Sequence, residues 1–191
     1  MTRLDHYDSA SFDRGKPKWF ETLWLLVDCI FIRSSIPGTA HRRWILSLFG
    51  ARIGSGVVIK PGVRVKFPWR LTIGDHSWIG EEAWIDNLSG VAIGSHCCIS
   101  QGAYLCTGNH DWSSPRFDLK PGPITIDDNA WIAAKAVLGP NSTVGQGAVL
   151  SIGSVAVGQL KPWTIYSGNP AVAVGSRSVA DKPAALRANE A

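Results

Sequence analysis

The chain has 191 residues, enough for one sizeable core with a short appendage. Hydrophobic residues make up 45% and charged residues 18%, so the composition is globular rather than disordered, and its 20 glycines follow no collagen period. The net charge of +4 is uneven: residues 1–70 carry 12 Lys+Arg against 5 Asp+Glu, and residues 71–191 carry 7 against 10. A basic first third suits an anionic partner such as a membrane surface, a pyrophosphate-bearing substrate or another subunit, and the absence of an interleaved basic–aromatic module argues against nucleic acid.

Residues 1–18 are polar, with no signal-peptide pattern, and read as an irregular segment or as an arm that packs on a neighbour. Residues 19–33 read as a helix, with Leu23, Leu26, Val27, Ile30 and Phe31 at helical spacing. The apolar run is only 14 residues long and carries Glu21 and Asp28, short of the roughly 20 apolar residues a spanning helix needs. A second short helix is expected at about 41–49, with Arg42 and Arg43 on one face and Gly50 as its stop. The apolar faces of the two helices are expected to cap the end of a repeat domain, because solenoid ends must be covered. The alternative is that they rest on a membrane, with the arginines near lipid phosphates. Cys29, Cys97, Cys98 and Cys106 show neither disulfide nor zinc spacing, so they read as buried, reduced thiols of a cytoplasmic protein.

A six-residue repeat begins at Ile53. Ile53-Gly54, Ile73-Gly74 and Ile93-Gly94 recur every 20 residues, and aliphatics step by six through Ile59 and Val65, Ile79 and Ile85, Ile99 and Leu105. After residue 123 the step is cleaner, running Ile126, Ile132, Leu138, Val144, Leu150. Four residues after each of these stand Ala130, Ala136, Ser142, Ala148 and Ser154, all small. A strand alternates with period two and a helix with 3.6, so a sustained period of six means a chain that turns a corner every six residues, three short strands to a coil. The aliphatics then point inward, the small residues fill the space beside them, and the Ile-Gly glycines are expected to supply corner conformations that a side chain would strain. The two extra residues in each 20-residue block are assigned to wider corners.

At Cys106 the chain leaves this pattern for a polar, proline-containing excursion and rejoins it at Ile124. A repeat accommodates such an insertion only by bulging to the surface, and loops on a rigid scaffold commonly carry function. His110 sits at the mouth of this loop.

Four stretches carry a resemblance: Phe49-Gly-Ala-Arg-Ile-Gly54, Cys98-Ile-Ser-Gln-Gly-Ala-Tyr-Leu-Cys-Thr-Gly-Asn-His-Asp111, Pro123-Ile-Thr-Ile-Asp-Asp-Asn-Ala-Trp-Ile132 and Pro162-Trp-Thr-Ile-Tyr-Ser-Gly-Asn-Pro-Ala171. Together they resemble the hexapeptide-repeat acyltransferases, in particular the colanic-acid-biosynthesis type within the galactoside and maltose O-acetyltransferases. The resemblance covers roughly residues 20–175. It implies an all-β, left-handed parallel β-helix, a handedness opposite to the general rule for crossovers. The expected organisation is an arm and helical cap at 1–50, a β-helix at 51–171 with its loop at 106–123, and a tail at 172–191. Lys182 and Arg187 in the tail are candidate phosphate contacts.

The reaction implied is O-acetylation of a sugar hydroxyl by acetyl-CoA, in surface polysaccharide synthesis, on a soluble or lipid-linked glycan. A hydroxyl is a poor nucleophile at neutral pH, and a histidine, with a reference pKa of about 6.5, suits the removal of its proton. His110 matches the family's base, and Asp111 beside it is the first candidate to orient the ring. Asp86 and Asn87, in Trp84-Ile-Asp-Asn87, are candidates to hold the acceptor, with Asn109 and Trp112 on the loop. The resemblance places the pantetheine arm at Ala134 and around Ile152 and Gly153, with Trp131 as a flanking ring. Relatives often carry serine at the position of Ala134, so a backbone N–H would have to serve there. They also often place lysine near Gly158, so Lys161 or Arg177 would have to grip the CoA phosphates. A homotrimer with sites between prisms is implied, and Lys66, Trp69, Arg70, Trp78 and Trp84 are candidates for its interface.

Other readings are N-acetylation of an amino sugar, a non-catalytic scaffold and a zinc hydratase. His76 and His96 fall one coil apart and with His110 would make three histidines, but both follow Ile-Gly-x at an outward corner. Zinc catalysis needs three convergent ligands, so no metal is expected.

Overall fold

The computed structural model describes residues 2–8 and 12–179 of the chain, so Lys182 and Arg187 lie outside the described residues. From Arg52 onward the backbone winds through about six coils of short strands that build three parallel sheets. Face A stacks Arg52–Ile53, Leu71–Ile73, Val91–Ile93, Ile124–Ile126, Thr143–Val144 and Gln159–Leu160. Face B stacks Val58–Ile59, Trp78–Ile79, Cys98–Ile99, Trp131–Ile132, Val149–Leu150 and Thr164–Gly168. Face C stacks Arg64–Val65, Trp84–Asp86, Tyr104–Cys106, Val137–Leu138 and Val155–Ala156.

The period of six becomes register. On face A Ile53 lies beside Ile73, then Ile93, Ile126, Val144 and Leu160. Ile59, Ile79, Ile99, Ile132 and Leu150 form the same column on face B, and Val65, Ile85, Leu105 and Leu138 on face C. All but Ile53 of these side chains are buried, as are the small residues Ala130, Ala136, Ser142, Ala148 and Ser154. Each corner stays tight because its inward position holds a side chain no larger than the space beside the neighbouring aliphatic.

The Ile-Gly glycines serve a different purpose from the one their positions suggest. The left-handed corner position comes two residues later, at Gly56, His76 and His96 (φ 64°, 56° and 56°). At Gly74 a methyl group would lie 2.6 Å from the Gly94 carbonyl carbon and 2.6 Å from the Ser95 nitrogen. Glycine is required there by the approach of the next coil, not by φ.

Two helices close the first coil: α1 at Lys18–Val27, continued by a π turn at Asp28–Ile32, and α2 at Ala40–Leu48. Capping is done by Phe20, Trp24, Val27 and Ile32, with Ile45, Leu46 and Phe49 from α2 and its end. The Trp24 indole donates to the Val65 carbonyl (2.9 Å) and ties the helix to the first coil. Of the face singled out in sequence, only Val27 joins this packing; Leu23, Leu26, Ile30 and Phe31 are exposed. Arg42 is also not a surface cation. It is fully buried and donates to the carbonyls of Ile32 (2.9 Å), Ser34 (2.7 Å), Ile36 (2.9 Å) and Gly38, which holds the turn between the helices.

At the other end, Ala171–Ser176 returns antiparallel to Thr164–Gly168, so residues expected in the tail extend face B. The thiols divide: burial pushes Cys97 up to about 11, whereas Cys29 is exposed rather than buried. All four cysteines are free.

Asp28 is buried under the cap, 2.9 Å from the Arg33 guanidinium, and burial raises its pKa from 3.8 to about 6. A carboxyl whose pKa is higher in the fold than in the unfolded chain favours the fold below 3.8 and loses that contribution as pH rises through about 6. Asp28→Asn is therefore expected to raise stability by about 2 kcal/mol near neutral pH, with the gain vanishing near pH 4. Thermal melts of both proteins across this range measure it. Gly74→Ala is expected to cost about 1–3 kcal/mol by the same melts, because the nearest atoms belong to backbone that cannot rotate away.

Candidate active site

One corner of the prism, from face C to face A, carries every elaboration. In the first coil it holds the 3-10 turn Pro68–Arg70, in the second residues 87–90, and in the third the loop of residues 107–123. The other two corners are short turns through a left-handed residue, such as His76 and His96 on one and Glu82 and Lys135 on the other. The extra two residues of each 20-residue block thus mark the corner that can grow.

The loop is a hairpin. Gly122 N–H donates to Thr107 (2.8 Å), Lys120 to Asn109 (2.7 Å) and Asp111 to Asp118 (2.8 Å), with His110 bridged to Leu119. Its base is locked by Thr107, whose buried hydroxyl donates to the Asp86 carbonyl (2.9 Å) and accepts from Ser89 N–H (2.9 Å). His110 is thereby carried at the foot of a pinned two-stranded projection rather than on a slack loop.

The imidazole of His110 is held on two sides. Its Nδ1 lies 2.8 Å from the Phe117 carbonyl oxygen, and the Phe117 ring stacks on it at 4.3 Å with an interplanar angle of 7°. Tyr7 of the N-terminal arm meets the ring edge-on at 5.5 Å, and Arg3 N–H joins the arm to the Pro115 carbonyl (2.8 Å). A carbonyl can only accept, so Nδ1 carries the hydrogen and the neutral ring presents its lone pair at Nε2.

The orienting group is therefore Phe117, and the expectation that Asp111 orients the ring is corrected. The Asp111 carboxylate accepts from the Ser113 hydroxyl (2.5 Å) and N–H (3.0 Å) and pairs with Lys120 (2.8 Å). The Lys120 hydrogen bond, with Ser113, holds this carboxyl well below the usual carboxylate range. Such a group is a poor proton acceptor at neutral pH. Asn109 Oδ1 accepts from the His110 N–H (2.9 Å), and Trp112 is 78% exposed at the loop tip.

Of the other acceptor candidates, Asn87 is fully buried and spans the corner one coil below, its amide bonded to Phe67 N–H (2.9 Å) and carbonyl (2.7 Å). That makes it a staple of the corner, and both ends of its amide are occupied. Asp86 lies at the base of the loop, beside Cys106 in register. It accepts from the Tyr104 hydroxyl (3.0 Å), and the Lys66 ammonium lies 3.1 Å away as an ion pair without a directed hydrogen bond. Burial first, then Cys106 and Asp86, push the Tyr104 pKa up, so the phenol stays protonated and donates. The Tyr104 ring stacks on Trp84 (4.6 Å), and Arg64 lies over Trp84 (4.9 Å). This row leads across face C to the loop. A groove of about 310 Å³ opens on the face A side of the same corner, lined by Arg52, Trp69, Arg70, Thr72, Pro123 and Thr125 among others.

The candidate CoA residues divide between two corners. Ala134, Ile152 and Gly153 come together between faces B and C, where Gly153 N–H donates to the Ala134 carbonyl (2.9 Å) and Ile152 is 73% exposed. Lys135, unmarked in sequence, stands at this corner too. Lys161 and Arg177 lie instead between faces A and B. The Arg177 guanidinium donates to the carbonyls of Asn129 (2.6 Å) and Gly147 (3.1 Å), which clamps that corner closed, and the Lys161 N–H donates to the Tyr166 hydroxyl (2.8 Å). The structure does not bring either cation to Ala134. Trp131 stands on the outer side of face B, with its indole donating to Ser100 (2.9 Å).

His76 and His96 stack at 5.2 Å on an exposed corner, and among the described residues no group of three or more histidines, cysteines and carboxylates is placed to hold a metal. Most of the expected interface run is used within the chain. Lys66 pairs with Asp86, the Trp69 indole donates to Arg14 (2.8 Å), Arg70 donates to Leu88 and Asp13, and Trp84 stacks on Tyr104; Trp78 remains 57% exposed. Phe117 and Tyr104 were not among the candidates from sequence, and Lys66 was assigned to an interface rather than to Asp86. Lys66, Asp86 and Cys106, spaced by 20 residues, carried a usable signal, whereas the Phe117 carbonyl carried none.

Asp111→Asn is expected to keep turnover within about tenfold of wild type, since a loop contact is lost but no proton-transfer group. Steady-state kinetics beside His110→Ala checks this, and a loss equal to that of His110→Ala would restore Asp111 to the catalytic pair.

No family model matches the chain. It is 38% identical over 154 residues to a candidate colanic acid biosynthesis acetyltransferase, WcaF, of Escherichia coli strain K12, covering 81% of this chain and 85% of that one. The galactoside O-acetyltransferase of the same organism is 26% identical over 123 residues, covering 63% of this chain and 61% of that one. Among solved structures, a hexapeptide-repeat acetyltransferase from Vibrio cholerae O1 biovar eltor, complexed with acetyl-CoA, superposes with a TM-score of 0.78 at 24% identity over 94% of this chain and 97% of that one. A galactoside acetyltransferase in complex with coenzyme A superposes with a TM-score of 0.76 at 20% identity over 86% and 84%. The coil, the single elaborated corner and the similarity to WcaF over most of both chains lead to one conclusion: the chain belongs to the hexapeptide-repeat, left-handed β-helix acetyltransferases of the colanic-acid-biosynthesis type.

Proposed function

We propose that the protein transfers acetyl from acetyl-CoA to a sugar hydroxyl, with His110 as the general base. The observation that carries this reading is the imidazole itself, anchored through Nδ1 to Phe117 and free to accept at Nε2. As the sugar oxygen attacks the thioester carbon, Nε2 takes its proton. The tetrahedral intermediate then collapses, the C–S bond breaks, and the departing thiolate takes the same proton from Nε2. The backbone N–H of Ala134 is the group assigned here to meet the developing oxyanion.

Support for a site shared between copies comes from the corners. His110 leaves the corner after face C, and the Ala134 and Gly153 corner precedes face C, so the two flank one sheet of the same prism. A homotrimer of packed prisms would set the loop of one copy against the Ala134 corner of the next. The acceptor row consists of Asp86 and Tyr104 with Lys66, and Asn109 and Trp112 border it on the loop. A surface-polysaccharide precursor, free or lipid-linked, fits the relation to WcaF.

The test is thiol release from acetyl-CoA against sugars, amino sugars and nucleotide sugars, with wild type beside His110→Ala. Transfer to a hydroxyl is expected, lowered about 10²–10⁴-fold in His110→Ala with acetyl-CoA binding retained by calorimetry. Turnover that survives His110→Ala would remove the base, and transfer confined to amino sugars would make the enzyme an N-acetyltransferase.

A further inference from the structure

The helical cap leaves a large apolar surface uncovered. On the side of α1 turned away from Trp24, the side chains of Trp19, Leu23, Leu26 and Ile30 are 67%, 44%, 59% and 56% exposed. Their spacing of four, three and four residues places them in one stripe along the helix and its π turn. The outward side of α2 adds Trp44 and Leu48, 67% and 64% exposed. Scattered exposed apolar residues are ordinary, but a stripe of this length marks a surface that meets something else. It takes no part in the cap, whose buried contacts run through the opposite side of the same helix.

The charges without a carboxylate or guanidinium partner at the starts of α1 and α2 are of one sign. Asp28 is buried and paired with Arg33, and Glu21 is paired with Arg14. Lys16 and Lys18 precede Trp19, Arg43 precedes Trp44, and none of the three has a carboxylate partner among the described residues. Lys16 lies over the Phe20 ring (5.6 Å). Tryptophans set beside cations on an amphipathic helix are the residues that sit at lipid headgroups, the rings in the interface and the cations at the phosphates. No helix among the described residues is long and apolar enough to cross a membrane, so this surface would lie on a bilayer rather than span it.

We propose that the outward face of α1, with Lys16 and Lys18, docks the protein on an anionic phospholipid surface. A second copy fits this face less well. Two-fold pairing with the helices parallel would bring the lysines of both copies together, which is repulsive, and antiparallel pairing would leave them without an anionic partner. The stripe also lies on the cap over the first coil, away from the prism faces through which side-by-side packing would occur. Docking would hold the His110 corner near acceptors carried in the membrane. That consequence rests on the proposed sugar acceptor, but the docking itself does not.

The full chain is to be sedimented, without acetyl-CoA, with vesicles of phosphatidylcholine alone and of phosphatidylcholine with phosphatidylglycerol. Binding is expected to the anionic vesicles and to fall as salt is added. The double substitution of Leu26→Glu with Ile30→Glu, and separately Lys16→Glu with Lys18→Glu, should each lower the bound fraction at least about tenfold. Thiol-release activity on a soluble acceptor should be unchanged in both. Wild type that stays in solution, or that binds neutral vesicles equally well, overturns the proposal. So does a smaller oligomer for Leu26→Glu with Ile30→Glu by sedimentation velocity, which would assign the stripe to a second copy. Because vesicle binding is read without substrate, its failure leaves the acetyl-transfer reading standing, and failure of thiol release leaves the docking result standing.

Discussion

Everything in this molecule depends on one repeated contact, an inward aliphatic resting on its equivalent in the coil above. Ile73 lies between Ile53 and Ile93, and Ile99 between Ile79 and Ile132, each in the register of a parallel ladder. The contact is short-ranged and leaves little freedom. A coil with one more residue on a face would turn an aliphatic outward and break both the column and the ladder. The corners between faces A and B and between B and C are correspondingly tight, and glycines such as Gly74 let consecutive coils meet there. Only the corner from C to A admits extra chain, and it has taken a 3-10 turn, a bend and finally a hairpin.

Rigidity at that corner is converted into a positioned imidazole. Asn87 and Thr107 fasten successive coils beneath the loop, and the hairpin hydrogen bonds carry the constraint out to His110. The ring is then fixed by a backbone carbonyl and an aromatic face from the returning strand, so its tautomer is set without a carboxylate. Asp111 contributes to the loop through Lys120 and Ser113. Histidine orientation by a carbonyl and by a carboxylate differ chemically, since the carbonyl fixes the tautomer without placing a full negative charge beside the ring.

The cap illustrates the division between covering a core and meeting a partner. α1 must bury Trp24 and Ile32 to close the first coil, and it does so with one side. Its other side is as apolar, and no contact among the described residues requires that. Asp28, placed under the cap, makes that end of the molecule sensitive to pH, while Arg42 spends its whole guanidinium on the turn between the helices.

The sequence by itself determined the coil, its three faces, its two capping helices and the loop that carries His110. All of these follow from spacing, and in a solenoid a residue's neighbours lie a fixed number of positions away. Spacing could not say which side of α1 faces inward, because Leu23, Leu26, Ile30 and Phe31 make as good a helical stripe as Phe20, Trp24 and Val27. It could not distinguish glycine required by φ from glycine required by the approach of the next coil. It also left the partners of polar groups open. Only the tertiary structure decided that Asn87 and Arg177 are spent on backbone groups, that Asp111 turns to Lys120, and that Phe117 holds His110. Those outcomes depend on side-chain direction at corners and in a hairpin, where contacts are set by local geometry rather than by the repeat.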